Sequence, residues 1–355
     1  MRWIVFVLTL FSLSAKAQIR DSFDIKNSVI PIVFYLPETS LGFGGAGILS
    51  FRKKSASNDQ RFSQILYSAN YTLKKQILIL FPYEIYSQGM DYRFKGELGF
   101  YRYFYNFYGV GGNTQQDVFE TYDVVFPRLE FSATRFIRKG IGLGAGLRGD
   151  LYNITDIVDN GLLETEMPIG YEGGTKFNFQ LLALFDNRDN INSPYRGYFA
   201  EVSYQKSLGF LGSDFDYTKW EIDVRHYLNL GKESVLANRL WMTLASEGVP
   251  FFDMAHLSTG TRARGISDRR FINPDIYTFQ SEVRIPLFGR FRANIFGSYN
   301  IIPEERGQLF DGTNVWTYGL GLRYVLAKEN RNCLRLDIAK GKDAVNFYLT
   351  VNEAF

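Results

Sequence analysis

The sequence predicts an all-β protein, a transmembrane antiparallel β-barrel of about sixteen strands with a long loop folded into the lumen. Three observations favour this fold. The final segment alternates apolar and polar residues and stops on an aromatic residue. Aromatic residues make up 17% of the chain, although long apolar runs are rare. Many segments of alternating apolar and polar residues follow one another, separated by turn residues. Barrel strands alternate because one face meets lipid and the other meets the lumen.

The final segment, residues 343–355, shows the alternation clearly. Its apolar face carries Val345, Phe347, Leu349, Val351 and Phe355, and its other face carries Asn346, Tyr348, Thr350, Asn352 and Ala354. The last residues of a soluble domain usually fray, which gives an aromatic residue there little use. In outer-membrane proteins a terminal aromatic strand is the signal that the barrel assembly machinery reads. Phe355 is therefore predicted to be an insertion signal, with that machinery as a partner for the protein's own insertion.

The first residues have the features of a secretory signal peptide. Arg2 precedes an apolar run over residues 3–13, and Ala15-Lys16-Ala17 matches a cleavage site. A membrane anchor is the alternative, but the run is shorter than the about 20 residues that span a bilayer. We expect a signal peptide over residues 1–17, a short periplasmic segment over 18–28 and the barrel over 29–355.

Composition argues against several other classes. A helical membrane protein needs long apolar runs, and none follows the first segment. A soluble β-sandwich is the competing interpretation, but 33 glycines and the length of residues 29–355 exceed what one sandwich usually holds. A net charge of +3 without a basic cluster gives no reason to expect nucleic acid as a partner. The single cysteine, Cys333, has no partner for a disulfide and is interpreted as a small strand residue.

Alternating segments separated by turn residues predict sixteen strands, an even number that suits a closed single-chain barrel. They cover residues 29–36, 41–52, 62–73, 76–87, 91–103, 122–136, 141–153, 172–185, 198–207, 215–229, 234–247, 276–287, 291–300, 314–326, 331–340 and 343–355. The first of them is short and contains Pro31, which limits pairing at that edge.

The alternation also predicts where the charges lie. Between residues 215 and 229, one face carries Lys219, Glu221, Asp223 and Arg225, and the other carries Trp220, Ile222, Val224 and Leu228. An arginine or lysine on the lipid face near the midplane costs roughly 2–4 kcal/mol, so the charged face is expected to line the lumen. Since the lumen then holds both signs of charge, internal ion pairs are favoured over an open channel selective for one sign.

The longest irregular stretch of the second half, residues 248–275, is the candidate to fill the lumen. It contains Pro250-Phe251-Phe252-Asp253-Met254-Ala255-His256-Leu257 and, further on, Arg264-Gly265-Ile266. Here the sequence resembles the BamA/TamA family of outer-membrane barrels, also called the bacterial surface antigen family. In that family the sixth extracellular loop folds back into the lumen, where the twelfth and thirteenth strands hold its Arg-Gly-aromatic tip. Counting strands places residues 248–275 at the same point, between the eleventh and twelfth.

The resemblance implies that Arg264 and Gly265 form the loop anchor, with Ile266 in place of the usual aromatic residue. A guanidinium inside a barrel needs a carboxylate and further acceptors, and Glu282 on the luminal face of the twelfth strand is the expected partner. Gly265 permits a close approach to the wall or a positive φ. The alternative is that Arg264 is an ordinary solvated loop arginine.

Other segments carry the same resemblance. The family's Phe-x-Asp on the thirteenth strand is Phe296-Gly297-Ser298 here, which puts Ser298 at the position of the acid. Residues 34–44 are similar to the family's first hairpin. Residues 185–198 are similar to its Asp-x-Arg-Asp…Pro-x-x-Gly periplasmic turn, and we expect a structural turn network rather than a catalytic group. Its members are Asp186, Arg188, Asp189 and Gly197.

Family members that assemble or export proteins carry periplasmic POTRA modules before the barrel, and residues 18–28 leave no room for one. We therefore expect a barrel-only member that inserts or translocates proteins at the cell outer membrane by weakening the seam between its first and last strands. A plugged pore or transport channel is the alternative, as is a scaffold or a partner barrel for a separate periplasmic protein. Expected partners are outer-membrane lipids and a client or periplasmic protein.

We do not expect an enzyme. Outer-membrane lipases and acyltransferases need a histidine near a serine, and His226 and His256 are the only histidines. His226 has lipid-facing parity, and His256 lies in the family-like loop segment. No group of Cys, His and carboxylate residues has the spacing of a metal site, and no cofactor is expected.

Overall fold

The computed structural model describes residues 22–36, 40–56, 60–257, 260–306, 311–327, 331–342 and 345–355. The predicted signal peptide, residues 18–21 of the segment after it, and residues 37–39 of the predicted first hairpin lie outside this part of the chain.

Within the described residues, sixteen strands form one antiparallel sheet in which each strand pairs with its neighbours in the chain. The first eight are β1 (Phe23–Leu36), β2 (Ser40–Lys53), β3 (Ser63–Thr72), β4 (Ile77–Tyr86), β5 (Tyr92–Phe107), β6 (Glu120–Arg138), β7 (Ile141–Asp156) and β8 (Gly173–Asp186). The others are β9 (Gly197–Ser207), β10 (Thr218–Gly231), β11 (Ser234–Ala245), β14 (Ile276–Pro286), β15 (Phe291–Pro303), β16 (Gly312–Ala327), β17 (Asn332–Lys340) and β18 (Val345–Val351).

The segment between β11 and β14 contains a two-residue ladder of its own, β12 (Ala255–His256) with β13 (Ile272–Asn273). A short helix, α1 (Leu162–Glu166), lies between β7 and β8. No helix in the described part of the chain is long and apolar enough to cross a membrane.

The sixteen predicted strands are confirmed, and the largest error concerns the first of them. β1 begins at Phe23 instead of residue 29 and spans 14 residues, so it is not short. Residues 23–28, expected in a segment before the barrel, pair with β2 from Phe23↔Lys53 onward. Pro31 lies within this strand opposite Gly45. Alternation alone missed the start because residues 23–28 are mostly polar.

Inward and outward faces follow the predicted alternation. On β16, Trp316 is 67% exposed on the outer face, whereas Arg323 is fully buried on the inner face. The same division holds on β10, where Lys219 is buried and Trp220 is exposed. The outer face is therefore apolar and the charges lie in the lumen, as a membrane barrel requires.

Ion pairs between strands far apart in the sheet show that the sheet curls into a barrel. Arg93 on β5 donates to Glu201 on β9 at 2.8 Å. Arg61, just before β3, donates to Asp186 at the end of β8 at 2.7 Å. A flat sheet keeps such strands well apart, because neighbouring strands are about 4.8 Å from each other.

The segment between β11 and β14 lies inside the lumen, as predicted for residues 248–275. Phe252 stacks on Tyr152 with ring centroids 4.0 Å apart, and Phe251 packs edge-on against Phe107 and Tyr122. These inward-facing rings form a buried apolar cluster with Ile272. The segment is therefore part of the barrel interior, and the burial of its aromatic rings stabilises it there.

The expected position of Phe355 on the outer face is wrong. Asn352 has a φ of 66°, which turns the chain inward after β18. Phe355 is 5% exposed and packs against Tyr227, Val235 and other inner-wall residues of β10 and β11. The strict alternation of the sequence ends where the left-handed residue breaks the strand. The role of Phe355 as an insertion signal stays a prediction.

Candidate functional site: the luminal loop and its anchors

Residues 246–275, the luminal loop, are attached to the inner wall through Arg264. Its guanidinium donates from Nη2 to Glu282 on β14 and from Nη1 to Asp337 on β17, both at 2.6 Å. The Arg264 side chain is 1% exposed and both carboxylates are fully buried. The ring of Phe296 on β15 lies 3.4 Å from the guanidinium carbon, a cation–π contact. Arg264 is therefore held by three strands.

Gly265 lets the backbone lie directly against the wall. Its φ is 105°, and a Cβ atom there would lie 2.7 Å from the backbone nitrogen of Gly341. Its N–H donates to the hydroxyl of Tyr348 on β18 at 2.9 Å. Both reasons given for a glycine, the positive φ and the close approach, apply at this position.

Ile266 takes the position of the aromatic residue in the related motif and is buried. It packs in an apolar cluster whose members come from the loop and from the inner wall: Trp241, Ala255, Leu257, Ala263, Phe271, Ile276, Ile302 and Val315. The aliphatic side chain of Ile266 can therefore take the place of an aromatic ring, because neighbouring residues fill the space that the larger ring would occupy.

The Arg264 site belongs to a larger buried charge cluster. Its members are the guanidinium groups of Arg264, Arg284, Arg323 and Arg335 and the carboxylates of Glu282, Asp337 and Glu353. Buried charges are tolerated only when each is paired and hydrogen-bonded. The cluster explains how four arginines fit into the interior of a barrel.

Two of these arginines join the loop anchor to the residues after β18. Arg284 donates to Glu282 at 2.8 Å and to the Phe355 carbonyl at 2.9 Å. Arg323 donates to Asp337 at 2.5 Å and to Glu353 at 2.8 Å. Although burial disfavours its charge, Arg284 and Arg323 hold the pKa of the Glu353 carboxyl below its usual range.

A second anchor attaches the luminal loop to the opposite wall. Asp253 accepts from Lys176 on β8 at 2.6 Å, from Lys219 on β10 at 2.7 Å and from the Tyr217 hydroxyl at 2.7 Å. All four groups are buried. Burial opposes the charge, but Lys176 and Lys219 hold the pKa of Asp253 well below its usual range. Asp253 was visible in the sequence, yet nothing there indicated which lysines would face it.

A third contact joins the luminal loop to the β5–β6 loop. Arg270 donates to the backbone carbonyl of Thr114 at 2.6 Å and also to its hydroxyl. The N–H of Gly111 donates to the Ile272 carbonyl at 2.8 Å. The luminal loop therefore runs between two walls and under a neighbouring loop.

Of the residues expected at the loop anchor, the structure brings together Arg264, Gly265 and Glu282 but not Ser298. The Ser298 hydroxyl pairs instead with Thr317 at 2.7 Å. The second acid comes from Asp337 on β17, which sequence reasoning missed. The available signal was its inward parity, since Arg335 and Asp337 alternate with Leu334, Leu336 and Ile338 in the sequence.

The four residues expected in the periplasmic turn lie together where β8 ends, at Asp186, and β9 begins, at Gly197. Arg188 donates to Asp186 from Nε at 2.9 Å and from Nη2 at 3.0 Å. Asp189 accepts the N–H of Tyr195 at 2.9 Å. Gly197 has a φ of 111°, and a Cβ there would lie 2.7 Å from the carbonyl of Asn187. These contacts form a structural turn network.

The fold and the anchored loop define an integral β-barrel of the outer-membrane type. Residues 49–339 match the Omp85 superfamily domain, and the chain belongs to that superfamily. No curated protein matches the sequence.

Two solved structures are similar to this barrel. BamA from Haemophilus ducreyi lacking POTRA domains 1–3 superposes with a TM-score of 0.59 and 11% identity, over 93% of this chain and 70% of that one. CdiB from Acinetobacter baumannii superposes with a TM-score of 0.57 and 10% identity, over 94% of this chain and 60% of that one. At these identities the likeness shows the fold.

Proposed function

We propose that this outer-membrane barrel assists the insertion or translocation of proteins through the seam between β1 and β18. The observation that carries the proposal is the state of these two strands. Within the described residues, β1 pairs only with β2, and β18 pairs only with β17. Unpaired strand edges are templates for pairing with another chain, and a client strand is such a chain.

The height of the wall near the seam supports the same proposal. β18 spans 7 residues, whereas β1 on the other side of the seam spans 14 and β6 spans 19. A strand needs about 9–11 residues to cross a bilayer. A strand as short as β18 favours local thinning of the adjacent bilayer on its side of the seam, which lowers the barrier for a polar hairpin to enter.

The test is to lock the seam. Cysteine pairs with one member in β1 and one in β18 are introduced into a Cys333→Ser background, and insertion of a client barrel is measured in vesicles before and after oxidation. We expect oxidation to abolish insertion and reduction to restore it. A control pair at Ser28 and Ile48, which face each other in the β1–β2 ladder, should have no effect. Full insertion by a locked seam contradicts the proposal.

A plugged pore is the second candidate, favoured by the luminal loop and its three attachments. In that case replacing residues 260–270 with a short flexible linker raises ion conductance sharply in planar bilayers. Conductance that stays at the level of the intact barrel argues against a plugging role. The client and any periplasmic partner are identified by crosslinking, since neither function specifies them.

A further inference from the structure

The β8–β9 turn, residues 187–196, lies at the end of the barrel opposite to the luminal loop. The turns after β2, β10, β14 and β16 and the residues after β18 leave the sheet at this same end, because successive antiparallel strands alternate in direction. We call this end the periplasmic mouth. Side chains of the β8–β9 turn contact most of these segments.

Polar side chains hold the β8–β9 turn in one shape. Besides the bond from Asp189 to the N–H of Tyr195, Asn190 Oδ1 accepts the N–H groups of Asn192 and Ser193, both at 2.9 Å. Ser193 is buried. Bonds from Asp and Asn side chains to the following backbone stabilise turns. The turn therefore projects from the wall as a preformed arm.

On one side, this arm reaches β17, the fifteenth strand of the sheet, although it starts from the eighth and ninth. Arg331, directly before β17, donates to Asp189 at 2.7 Å and to the Ser193 carbonyl at 3.2 Å. Its guanidinium carbon lies 3.8 Å from the centroid of the Tyr195 ring. Three contacts on one arginine thus hold the arm across the mouth.

On the other side, the arm base meets the β2–β3 turn. Arg61 lies two residues before β3, the third strand, and forms its ion pair with Asp186 across the mouth. A third segment arrives from β18, where Asn352 donates to Asn192 at 3.3 Å. Phe355 then packs against Tyr227 on the far wall. Segments from three parts of the ring therefore converge over the mouth.

We propose that the β8–β9 turn is a latch that seals the periplasmic mouth, so that molecules pass between lumen and periplasm only after the Arg61–Asp186 and Arg331–Asp189 contacts release. Both pairs are partly exposed at Arg61 and Arg331, with 19% and 26% of those side chains accessible. Contacts of this kind are modest in strength and break reversibly. The latch controls access to the lumen whether or not the seam inserts proteins.

The native residue Cys333 can be used to measure opening of the latch, so no cysteine has to be introduced. It is the only cysteine of the chain, lies at the start of β17 near the mouth and is buried on the inner face. Its backbone carbonyl accepts the N–H of Asn352 at 2.7 Å, so the residues after β18, which meet the arm through Asn192, start beside it. The experiment measures how fast a hydrophilic maleimide labels Cys333 in the folded barrel, with fully unfolded protein as the upper limit.

We expect slow labelling of the wild type and an increase of about tenfold in the Arg61→Gln, Arg331→Gln double variant. That variant loses both ion pairs and the cation–π contacts of Arg331 with Tyr195 and of Arg61 with Tyr86. Each single variant should show a smaller increase. Arg138→Gln removes an exposed charge from the end of β6, at the same mouth but away from the latch contacts, and should label like the wild type. Heat-modifiable migration on gels checks that each barrel is folded.

Two results overturn the latch. One is wild-type labelling by the folded double variant. The other is an equal increase in Arg138→Gln, which would mean that charge at the mouth matters and the latch does not. If the double variant does not fold, Asp189→Asn serves instead, because the amide keeps an acceptor for the Tyr195 N–H while losing the charge opposite Arg331. Since labelling does not depend on a client, its outcome is independent of the insertion assay.

Discussion

Removing the guanidinium of Arg264 is expected to release the tip of the luminal loop. Arg264→Ala leaves Glu282 and Asp337 buried without one of their partners, although Arg284 and Arg323 still pair with them. Breaking a buried ion pair by truncating one partner costs about 3–5 kcal/mol. Because each 1.4 kcal/mol is a factor of ten, the released fraction should rise by roughly a hundredfold to a few thousandfold.

The rate of cleavage by chymotrypsin measures this release. Chymotrypsin cuts after aromatic residues, and Phe251, Phe252 and Phe271 are buried while the loop is docked. Trypsin is unsuitable since the variant itself removes a tryptic site. Arg262→Ala is the matched control: Arg262 lies in the same loop and its guanidinium stacks on Trp241 at 3.8 Å, but its ion pair with Glu221 is longer, at 3.6 Å, and more exposed. A pair of that kind is worth about 1 kcal/mol or less and the cation–π contact about 0.5–1 kcal/mol, so cleavage should rise less than about thirtyfold.

Arg264→Lys should fall between wild type and Arg264→Ala, because an ammonium keeps the charge but cannot reach both carboxylates in a fork. Heat-modifiable migration on gels first shows that the Arg264→Ala barrel is folded. The reasoning is refuted if this folded variant is cleaved at a rate within about threefold of the wild type. The buried Arg264 with its two carboxylates would then stabilise the docked loop less than an exposed ion pair does.

Three further predictions concern the second anchor, the loop tip and pH. Asp253→Asn leaves two buried lysines facing a neutral amide and should lower the free energy of unfolding by about 3 kcal/mol, read from the urea midpoint by tryptophan fluorescence. Gly265→Ala should expose the loop to chymotrypsin, whereas Gly212→Ala, at a φ of 90° in open space, should not. The pKa of Glu353 is lowered by folding, so its stabilisation is present above about pH 4.3 and is lost as pH falls through the lower folded value. The urea midpoint should therefore be constant above about pH 5 and fall in more acid solution, and a Glu353→Gln variant should lose part of that fall.

Much of the barrel could be predicted because its strands carry a local signal. Alternation of charged and apolar residues on β10, and of small or polar and apolar residues on β16, indicates which face meets lipid without any tertiary information. The pairing of Arg264 with Glu282 was also accessible, since a loop arginine in a lumen requires an inward acid on a nearby strand.

The other contacts of the luminal loop depend on the curvature of the sheet, which the alternation of residues along one strand does not show. Asp337 reaches Arg264 because the sheet curls so that β14 and β17 face one point. Asp253 meets Lys176 and Lys219 on the opposite wall for the same reason. The inward turn of Phe355 depends on one residue, Asn352, whose φ lies in the left-handed region. Asparagine adopts this conformation more readily than most residues, but its presence in a sequence does not show that it does so.

The central claim is that the barrel, with its loop docked through Arg264, inserts or translocates proteins at the outer membrane. The most direct measurement is quantitative proteomics of the outer membrane after depletion of the protein, with wild type, Arg264→Ala or Arg262→Ala supplied in return. We predict the loss of a defined set of barrels or surface proteins, restored by wild type and Arg262→Ala but not by Arg264→Ala. An outer-membrane proteome that is unchanged by depletion would contradict the claim.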